Sequence, residues 1–213
     1  MAITDRTRLA GADEDAALVA FVAAVAAAGV DAVQVRERDW ADGRLLRVTR
    51  AVCEAVRHTR CRVLVNERAH VAWAAGAHGV HLRSTGMPAA RLRAVQPAGQ
   101  LVGRSVHVED GAAVASGTDY VLFGTVFASA SKAAAAPVAG LPALAEWAGR
   151  RGMVPVVAVG GIDVARCEAV RDAGACGIAG IDLFASAYAR GGAALAATVR
   201  DIHAVFGHGE RAE

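Results

Sequence analysis

The stretch VPVVAVGGID, residues 154–163, decides how this chain is interpreted. A short run of β-branched residues ends at Val159, two glycines follow, and a helical pattern begins directly after Asp163. This order is typical of a strand–turn–helix unit in a parallel sheet. Paired glycines let the backbone approach a ligand closely, and the start of a helix offers free N–H groups to a phosphate. We therefore expect Gly160 and Gly161 to contact a phosphate group.

The same alternation of short apolar runs and helical stretches repeats along the whole chain. The predicted strands are Ala2–Thr4, Ala32–Arg36, Arg62–Asn66, Gly79–Leu82, Leu101–Ser105, Tyr120–Phe123, Val154–Val159 and Gly177–Ile181. The predicted helices are Asp13–Ala28, Asp42–His58, Ala69–Ala75, Pro88–Val95, Val108–Ala115, Pro142–Arg150, Val164–Ala173 and Gly192–Val205. Eight such repeats in 213 residues favour an α/β fold that closes into a single (β/α)8 TIM barrel over an open sheet. We assign residues 1–206 to the barrel and 207–213 to a polar C-terminal tail.

Composition excludes several classes of function. The formal net charge is +2, which is too small to indicate a nucleic-acid or membrane surface. The apolar stretches are too short to span a bilayer, and no signal peptide is visible, so we expect a cytoplasmic protein. The four cysteines have no zinc-ligand spacing, so buried thiols in a reducing compartment are expected and no metal site is assigned.

The second predicted strand carries charge towards the barrel mouth. Alternation along this strand places Gln34, Arg36 and Arg38 on one side, and Gln34 and Arg36 point inward if Val33 and Val35 pack against helices. A buried arginine needs an anion, so Arg36 pairs either with a bound anion or with Glu67.

Two residue types that occur once in the chain fall at the same end of the predicted barrel. Asn66, the only asparagine, ends the third strand, and Lys132, the only lysine, lies in the loop after the sixth. A chain that otherwise uses arginine for positive charge indicates a special role for a compact ammonium group. Ser129 and Ser131 in the same loop add hydroxyls, a composition that favours anion binding.

Three further polar residues follow the fourth and fifth strands. His81, Ser105 and His107 all fall where the mouth of the barrel is expected. The two histidines are either acid–base groups or structural imidazoles held by hydrogen bonds, and the sequence leaves both readings open.

The motifs, taken in order, are similar to those of the thiamine phosphate synthase/TenI family, and the resemblance covers essentially the whole chain. It rests on residues 3–5, 34–38, 66–67, 79–82, 103–107, 119–132 and 158–162. The resemblance implies that Gln34, Arg36, Arg38, Asn66, Ser105 and Lys132 face a pyrimidine and its pyrophosphate. It also implies that Ser129, Ser131, Gly160 and Gly161 face a thiazole phosphate.

Departures from the family pattern bear on its chemistry. Glu67 stands where the synthase has an aspartate, and Ser84 and Gly86 stand where it has a glutamine and a second, metal-binding aspartate. Magnesium prefers such carboxylate oxygens, so its binding is expected only if the chain is a synthase. These differences place the chain closer to the TenI branch. Thr125 occupies the position of the TenI histidine and cannot act as a base, which leaves His107 or Glu67 for proton transfer.

One residue argues against tight phosphate binding. Asp182 follows the eighth strand, where the family has a small hydroxyl, and its charge repels a phosphate unless an arginine pairs with it.

Three functions are consistent with these observations. The main hypothesis is a TenI-like barrel that binds a thiazole phosphate or a related phosphorylated heterocycle, with an isomerase activity that uses His107, Glu67 and Lys132. The first alternative is a thiamine phosphate synthase that releases pyrophosphate, and the second is a regulatory barrel without catalysis. No organic cofactor, nucleic acid or membrane is expected as a partner, and exposed helix faces would allow a homodimer.

Overall fold

The computed structural model describes residues 1–128, 138–150 and 154–207. Within these residues eight strands lie side by side in sequence order, and every neighbouring pair is parallel. The strands are β1 (Ala2–Ile3), β2 (Ala32–Val35), β3 (Arg62–Asn66), β4 (Gly79–Leu82), β5 (Leu101–Val106), β6 (Tyr120–Phe123), β7 (Val156–Val159) and β8 (Gly177–Ala179). The predicted barrel is confirmed.

The barrel closes between its first and last strands. The N–H of Ile3 donates to the carbonyl of Gly180 at 2.9 Å, and Ala2 and Gly180 form a parallel bridge. Closure leaves no unpaired sheet edge and brings the carboxyl ends of all strands to one mouth.

The described residues contain eight α-helices around this barrel. They are α1 (Glu14–Ala27), α2 (Asp42–Val56), α3 (Ala69–Ala75), α4 (Ala89–Arg93), α5 (Gly140–Ala148), α6 (Cys167–Asp172), α7 (Asp182–Ala189) and α8 (Gly192–Phe206). None of the helices in these ranges combines the length and the apolar character that a membrane-spanning helix needs.

One helix prediction was wrong, and one helix was missed. The segment predicted as a helix over Val108–Ala115 forms only a 3-10 turn over Ala112–Ala115, because Asp110 accepts the backbone N–H of His107 and holds a turn there. Helix α7 was not predicted at all. It follows β8 after two residues, in a stretch that the sequence pattern assigned to a strand end and a loop.

The strands are covered on both faces. Their outward side chains, such as Val33, Val35 and Val63, are fully buried in one large cluster against the helices. The inward side chains of Ile3, Leu122 and Ala179 form a second, smaller cluster inside the barrel. The prediction that Val33 and Val35 pack against helices is therefore confirmed. The division also explains why these strands read as nearly continuous apolar runs.

Gly103 makes room for the ring of Tyr120 across the β5–β6 pair. The two residues are in register, and a Cβ atom on Gly103 would lie 2.0 Å from Cζ of Tyr120. Only glycine fits at this position, because the aromatic ring fills the space that any side chain would occupy.

We predict that Gly103→Ala lowers the free energy of unfolding by about 2 kcal/mol, since overpacking forces the ring or the strand to move. Urea denaturation measures this loss. Gly43→Ala is the matched control, because Gly43 lies within α2 with no neighbouring atom within 4 Å of a new Cβ. Alanine there should stabilise the protein by about 0.5–1 kcal/mol. Equal effects of the two changes would contradict this packing account.

Candidate functional site

A cavity of about 890 Å³ opens at the carboxyl ends of the strands. Residues that end or follow all eight strands line it, so the site is built by convergence of distant segments. The lining includes Asp5, Gln34, Arg36, Arg38, Asn66, His81, Arg83, Ser84, Thr85, Ser105, His107, Thr125, Gly160, Gly161, Asp182 and Arg190.

Most of the predicted site residues meet in this cavity. Eight of them line it: Gln34, Arg36, Arg38, Asn66, Ser105, His107, Gly160 and Gly161. Glu67 is adjacent and contacts a lining residue, Arg83, whereas Ser129, Ser131 and Lys132 lie outside the described residues. Arg190 was missed in the sequence, because it ends the unpredicted helix α7.

Gln34 lies on the inner face of β2 and faces the cavity with an unpaired donor. Its side chain is buried, with the residue 2% exposed. The amide Nε2 makes no hydrogen bond in the described part of the chain. An unpaired buried amide costs about 1–3 kcal/mol, and a ligand acceptor in the cavity would recover this cost.

Arg36, two residues further along, is half-buried and unpaired. No carboxylate within the described ranges lies within 4 Å of its guanidinium, so the expected alternative of an ion pair with Glu67 is wrong. Burial, followed by the nearby charge of Arg38, lowers the pKa of Arg36 from the usual arginine value. Both effects disfavour the charged form, and a bound anion would offset them.

Glu37 forms no ion pair with Arg36, because other residues hold its carboxylate, although its charge and that of Asp5 partly oppose the lowering of the Arg36 pKa. It accepts hydrogen bonds from the Thr4 hydroxyl at 2.7 Å and from Arg6 at 3.3 Å. The pKa of Glu37 is raised by burial, an effect that these bonds oppose. Successive side chains of an extended strand point to opposite faces, so Glu37 and Arg36 lie on different sides and do not pair.

The turn after β7 lies against the loop after β6. Gly160 and Gly161 have positive φ angles of 103° and 60°. A Cβ on Gly160 would lie 2.4 Å from Cγ2 of Thr125, and one on Gly161 would lie 2.2 Å from the Ala128 carbonyl oxygen. Both positions therefore require glycine.

The helical segment after this turn differs from the expectation. A 3-10 turn over Val164–Arg166 precedes α6, and the Asp163 side chain accepts the Arg166 N–H at 3.0 Å. Within the described residues, the backbone N–H groups of Gly161 and Ile162 donate to no protein acceptor. These two groups at the cavity are available to a phosphate, whereas Asp163 already caps the start of the helical turn.

Asp182 lines the cavity, but an arginine partly neutralises it. Its Oδ1 lies 3.3 Å from Nε of Arg8, which also lies 3.9 Å from Oδ2 of Asp5. The condition under which Asp182 tolerates a nearby phosphate is therefore met. The pair is partly exposed, so it contributes little to stability.

His81 is a structural imidazole that joins two strands. Its Nδ1 lies 3.0 Å from the Tyr120 hydroxyl and its Nε2 lies 2.9 Å from the Ser105 hydroxyl. Burial raises the pKa of Tyr120, so the phenol keeps its proton and can donate it to Nδ1. In the tautomer that accepts this hydrogen bond at Nδ1, Nε2–H donates to the Ser105 hydroxyl, and in the other tautomer Ser105 donates to Nε2.

His107 is held differently. Its Nδ1 lies 2.6 Å from the carbonyl oxygen of Gly124, and a carbonyl can only accept. Nδ1 therefore carries the proton, and Nε2 of the neutral ring keeps a lone pair. Among the two histidines of the cavity, His107 is the one suited to proton transfer.

The residues that remain at the expected metal position do not form a divalent-cation site. In the described residues no group of three His, Cys, Asp or Glu side chains converges. The Oε1 of Glu67 lies 2.6 Å from Nε of Arg83, so a guanidinium already occupies this carboxylate. A hard cation needs several free oxygen ligands, and this donor set does not provide them.

The fold and cavity define a TIM barrel with an open cavity at the carboxyl ends of its strands. Sequence comparison identifies the family. The profile of the TMP-TENI family, described as thiamine monophosphate synthase, matches residues 1–184. The chain belongs to this family.

Individual relatives agree with the family. The thiamine-phosphate synthase of Anaeromyxobacter dehalogenans is 44% identical over 159 residues, which cover 74% of this chain and 71% of that protein. The corresponding enzyme of Laribacter hongkongensis is 37% identical over 186 residues, covering 87% and 85%. The thiamine phosphate pyrophosphorylase structure from Pyrococcus furiosus has a TM-score of 0.79 and 28% identity, covering 97% and 96%. These names support the family and do not single out its TenI branch.

The environment of His81 makes stability depend on pH. Burial lowers the pKa of His81 to about 3, from a usual value of 6.5. Its contribution to stability is complete above pH 6.5 and is lost as the pH falls towards 3, because only the unfolded chain takes up the proton.

When the pH is lowered from 7 to 5, we predict that the free energy of unfolding falls less for His81→Gln than for the parent. The difference between the two losses should be up to about 2 kcal/mol. Urea denaturation at the two pH values measures the difference. The comparison concerns the pH dependence alone, so the hydrogen bonds that the substitution removes do not affect it. The same pH dependence in both proteins would exclude a buried neutral His81.

Proposed function

We propose that this barrel is a thiamine-phosphate synthase, which joins a pyrimidine pyrophosphate to a thiazole phosphate. The names of the relatives support this reaction over the TenI-type isomerase that the sequence motifs favoured. The structural observation that carries the proposal is that one cavity combines unpaired Arg36 with the Gly160–Gly161 turn, so it can accept two anionic groups at once.

The Arg36 side and the Gly160–Gly161 side of the cavity bind different groups of the substrates. Arg36 and Arg38 bind the pyrophosphate, because guanidinium groups match the geometry of phosphate oxygens. The backbone N–H groups of Gly161 and Ile162 bind the thiazole phosphate. Gln34 and Asn66 supply amides to the pyrimidine, and the Ser105 hydroxyl adds a hydrogen-bonding group between the two anion sites.

The chain's own charges then favour the chemical step. The bond between the pyrimidine methylene carbon and the pyrophosphate oxygen breaks, and the pyrophosphate leaves with both electrons. The thiazole nitrogen donates its lone pair to the resulting cation and forms the new C–N bond. Arg36 stabilises the charge that develops on the leaving group, which is the term expected to dominate the rate. Ser129, Ser131 and Lys132 stay predictions for the same site.

We predict that Arg36→Ala lowers kcat/KM for thiamine phosphate formation at least tenfold, the equivalent of about 1.4 kcal/mol. Chromatography of the product, with parallel detection of released pyrophosphate, gives the rate. Arg62→Ala is the control, because Arg62 is exposed at the amino end of β3, away from the cavity. No product from the parent protein would reject the synthase, and equal rates for both variants would reject the role of Arg36.

A second function is favoured by the geometry of His107. With Nδ1–H fixed on the Gly124 carbonyl, Nε2 can take and return a proton on a thiazole phosphate carboxylate. This isomerisation needs only one substrate and no metal ion.

For this second function we predict that deuterium from the solvent enters the thiazole ring, and that His107→Gln slows the exchange at least tenfold. Proton NMR of the ligand in D2O detects the loss of signal. A thermal shift with the ligand, but without exchange or coupling, would leave the regulatory alternative.

A further inference from the structure

The loop after β4 carries Arg83, and in the synthase pattern the same loop carries a metal-binding carboxylate at the position of Gly86. Arg83, Ser84 and Thr85 line the cavity on this loop. Arg83 is 58% exposed at its side chain, and it reaches Glu67 with Nε alone. In the described part of the chain, its two Nη groups donate to no protein acceptor. Four N–H bonds of this guanidinium are thus available at the mouth.

Glu67 is placed to orient this arginine. Its φ angle is 60°, a left-handed conformation that residues with a Cβ rarely adopt. The backbone N–H of Glu67 donates to the His81 carbonyl at 2.9 Å, which ties the strained residue to β4. The carboxylate then meets Nε of Arg83 at 2.6 Å. Holding Nε fixes the plane of the guanidinium and reduces the entropy that anion binding would otherwise lose.

A buried arginine fixes the loop that carries Arg83. Arg104, on β5, is 4% exposed and donates to three carbonyl oxygens of this loop. The acceptors are Ser84 at 2.6 Å, Gly86 at 3.1 Å and Met87 at 2.8 Å. The loop is therefore preorganised, and its one charged side chain at the cavity is cationic.

The charges around this end sum to a positive site. Arg36, Arg38 and Arg83 bring three positive charges, and Glu67 and Asp5 bring two negative charges, which leaves a net charge of +1. A divalent cation in such a place would meet repulsion from all three groups, whereas a polyphosphate would be attracted by them.

We propose that Arg83, oriented by Glu67, supplies the positive charge that a divalent cation would otherwise supply. This chain then binds a pyrophosphate group without a metal ion. The proposal rests on the proposed function, because it concerns the leaving group of that reaction. The proposal adds Arg83 to the residues that bind pyrophosphate. It also states that this binding needs no metal ion, which separates this chain from a metal-dependent synthase. Glu67 is a positioning residue in this account.

Calorimetry with inorganic pyrophosphate in the presence of EDTA tests the proposal directly. We expect the parent protein to bind, and Arg83→Ala to bind at least tenfold more weakly, as for the loss of one charge-assisted contact. Arg62→Ala, at the opposite end of the barrel, should bind as the parent does. Thermal unfolding of each variant verifies that it is folded.

Glu67→Gln separates the two explanations by the sign of its effect. A glutamine carbonyl can still accept the Nε–H of Arg83 but removes a negative charge, so pyrophosphate should bind equally well or more tightly in EDTA. If Glu67 were a magnesium ligand, the same change would weaken a magnesium-dependent affinity. Binding that appears only with magnesium, or an Arg83→Ala variant with parental affinity, would overturn the proposal.

The outcome is distinguishable from failure of the proposed function. Metal-free, Arg83-dependent binding of pyrophosphate without thiamine phosphate formation would reject the synthase and keep this site. Product formation with pyrophosphate binding that requires magnesium would keep the synthase and reject this site.

Discussion

The half-buried charge of Arg36 is the constraint on which the site depends. A guanidinium at this depth needs an anion, and the two carboxylates whose charges act on it, Asp5 and Glu37, contact Arg8 and Arg6. The barrel therefore keeps an unsatisfied positive charge inside a cavity that is otherwise well formed. This unpaired charge lowers the stability of the empty protein, and the binding of an anion restores the lost stability. It is the reason to interpret the mouth as a binding site and not as packing.

Arginine partners of the surrounding acids maintain this imbalance. Glu37 contacts Arg6, Glu67 contacts Arg83, and Asp182 contacts Arg8. Each of these pairs removes a negative charge from competition for Arg36. Since most of the pairs are partly exposed, they add little to stability, and their effect is on the potential inside the cavity. The pairs allow three carboxylates to lie around a site for anions.

Much of the fold was predictable, because periodicity reports burial. Strands such as Arg62–Asn66 were predicted with the bounds that the structure has, since both faces of a barrel strand are apolar. The convergence of Gln34, Arg36, Asn66 and Gly160 followed from topology alone. Helix α7 was not predictable in the same way, because only Gly180 and Ile181 separate it from β8 and the apolar run of the strand continues through Ile181.

The pairings within the site were not predictable from the sequence. Sequence places Glu67 and Arg83 at the same mouth, but it does not show that the carboxylate of Glu67 contacts Arg83 and not Arg36. Similarly, the sequence left both histidines as acid–base or structural. The partners of each ring, a phenol and a hydroxyl for His81 and a carbonyl for His107, distinguish their roles.

A crystal structure with bound thiazole phosphate tests the central claim most directly. The account predicts phosphate oxygens within hydrogen-bond distance of the backbone N–H groups of Gly161 and Ile162, and the heterocycle directed towards Arg36. A ligand bound outside this mouth, or a phosphate turned away from the Gly160–Gly161 turn, would contradict it.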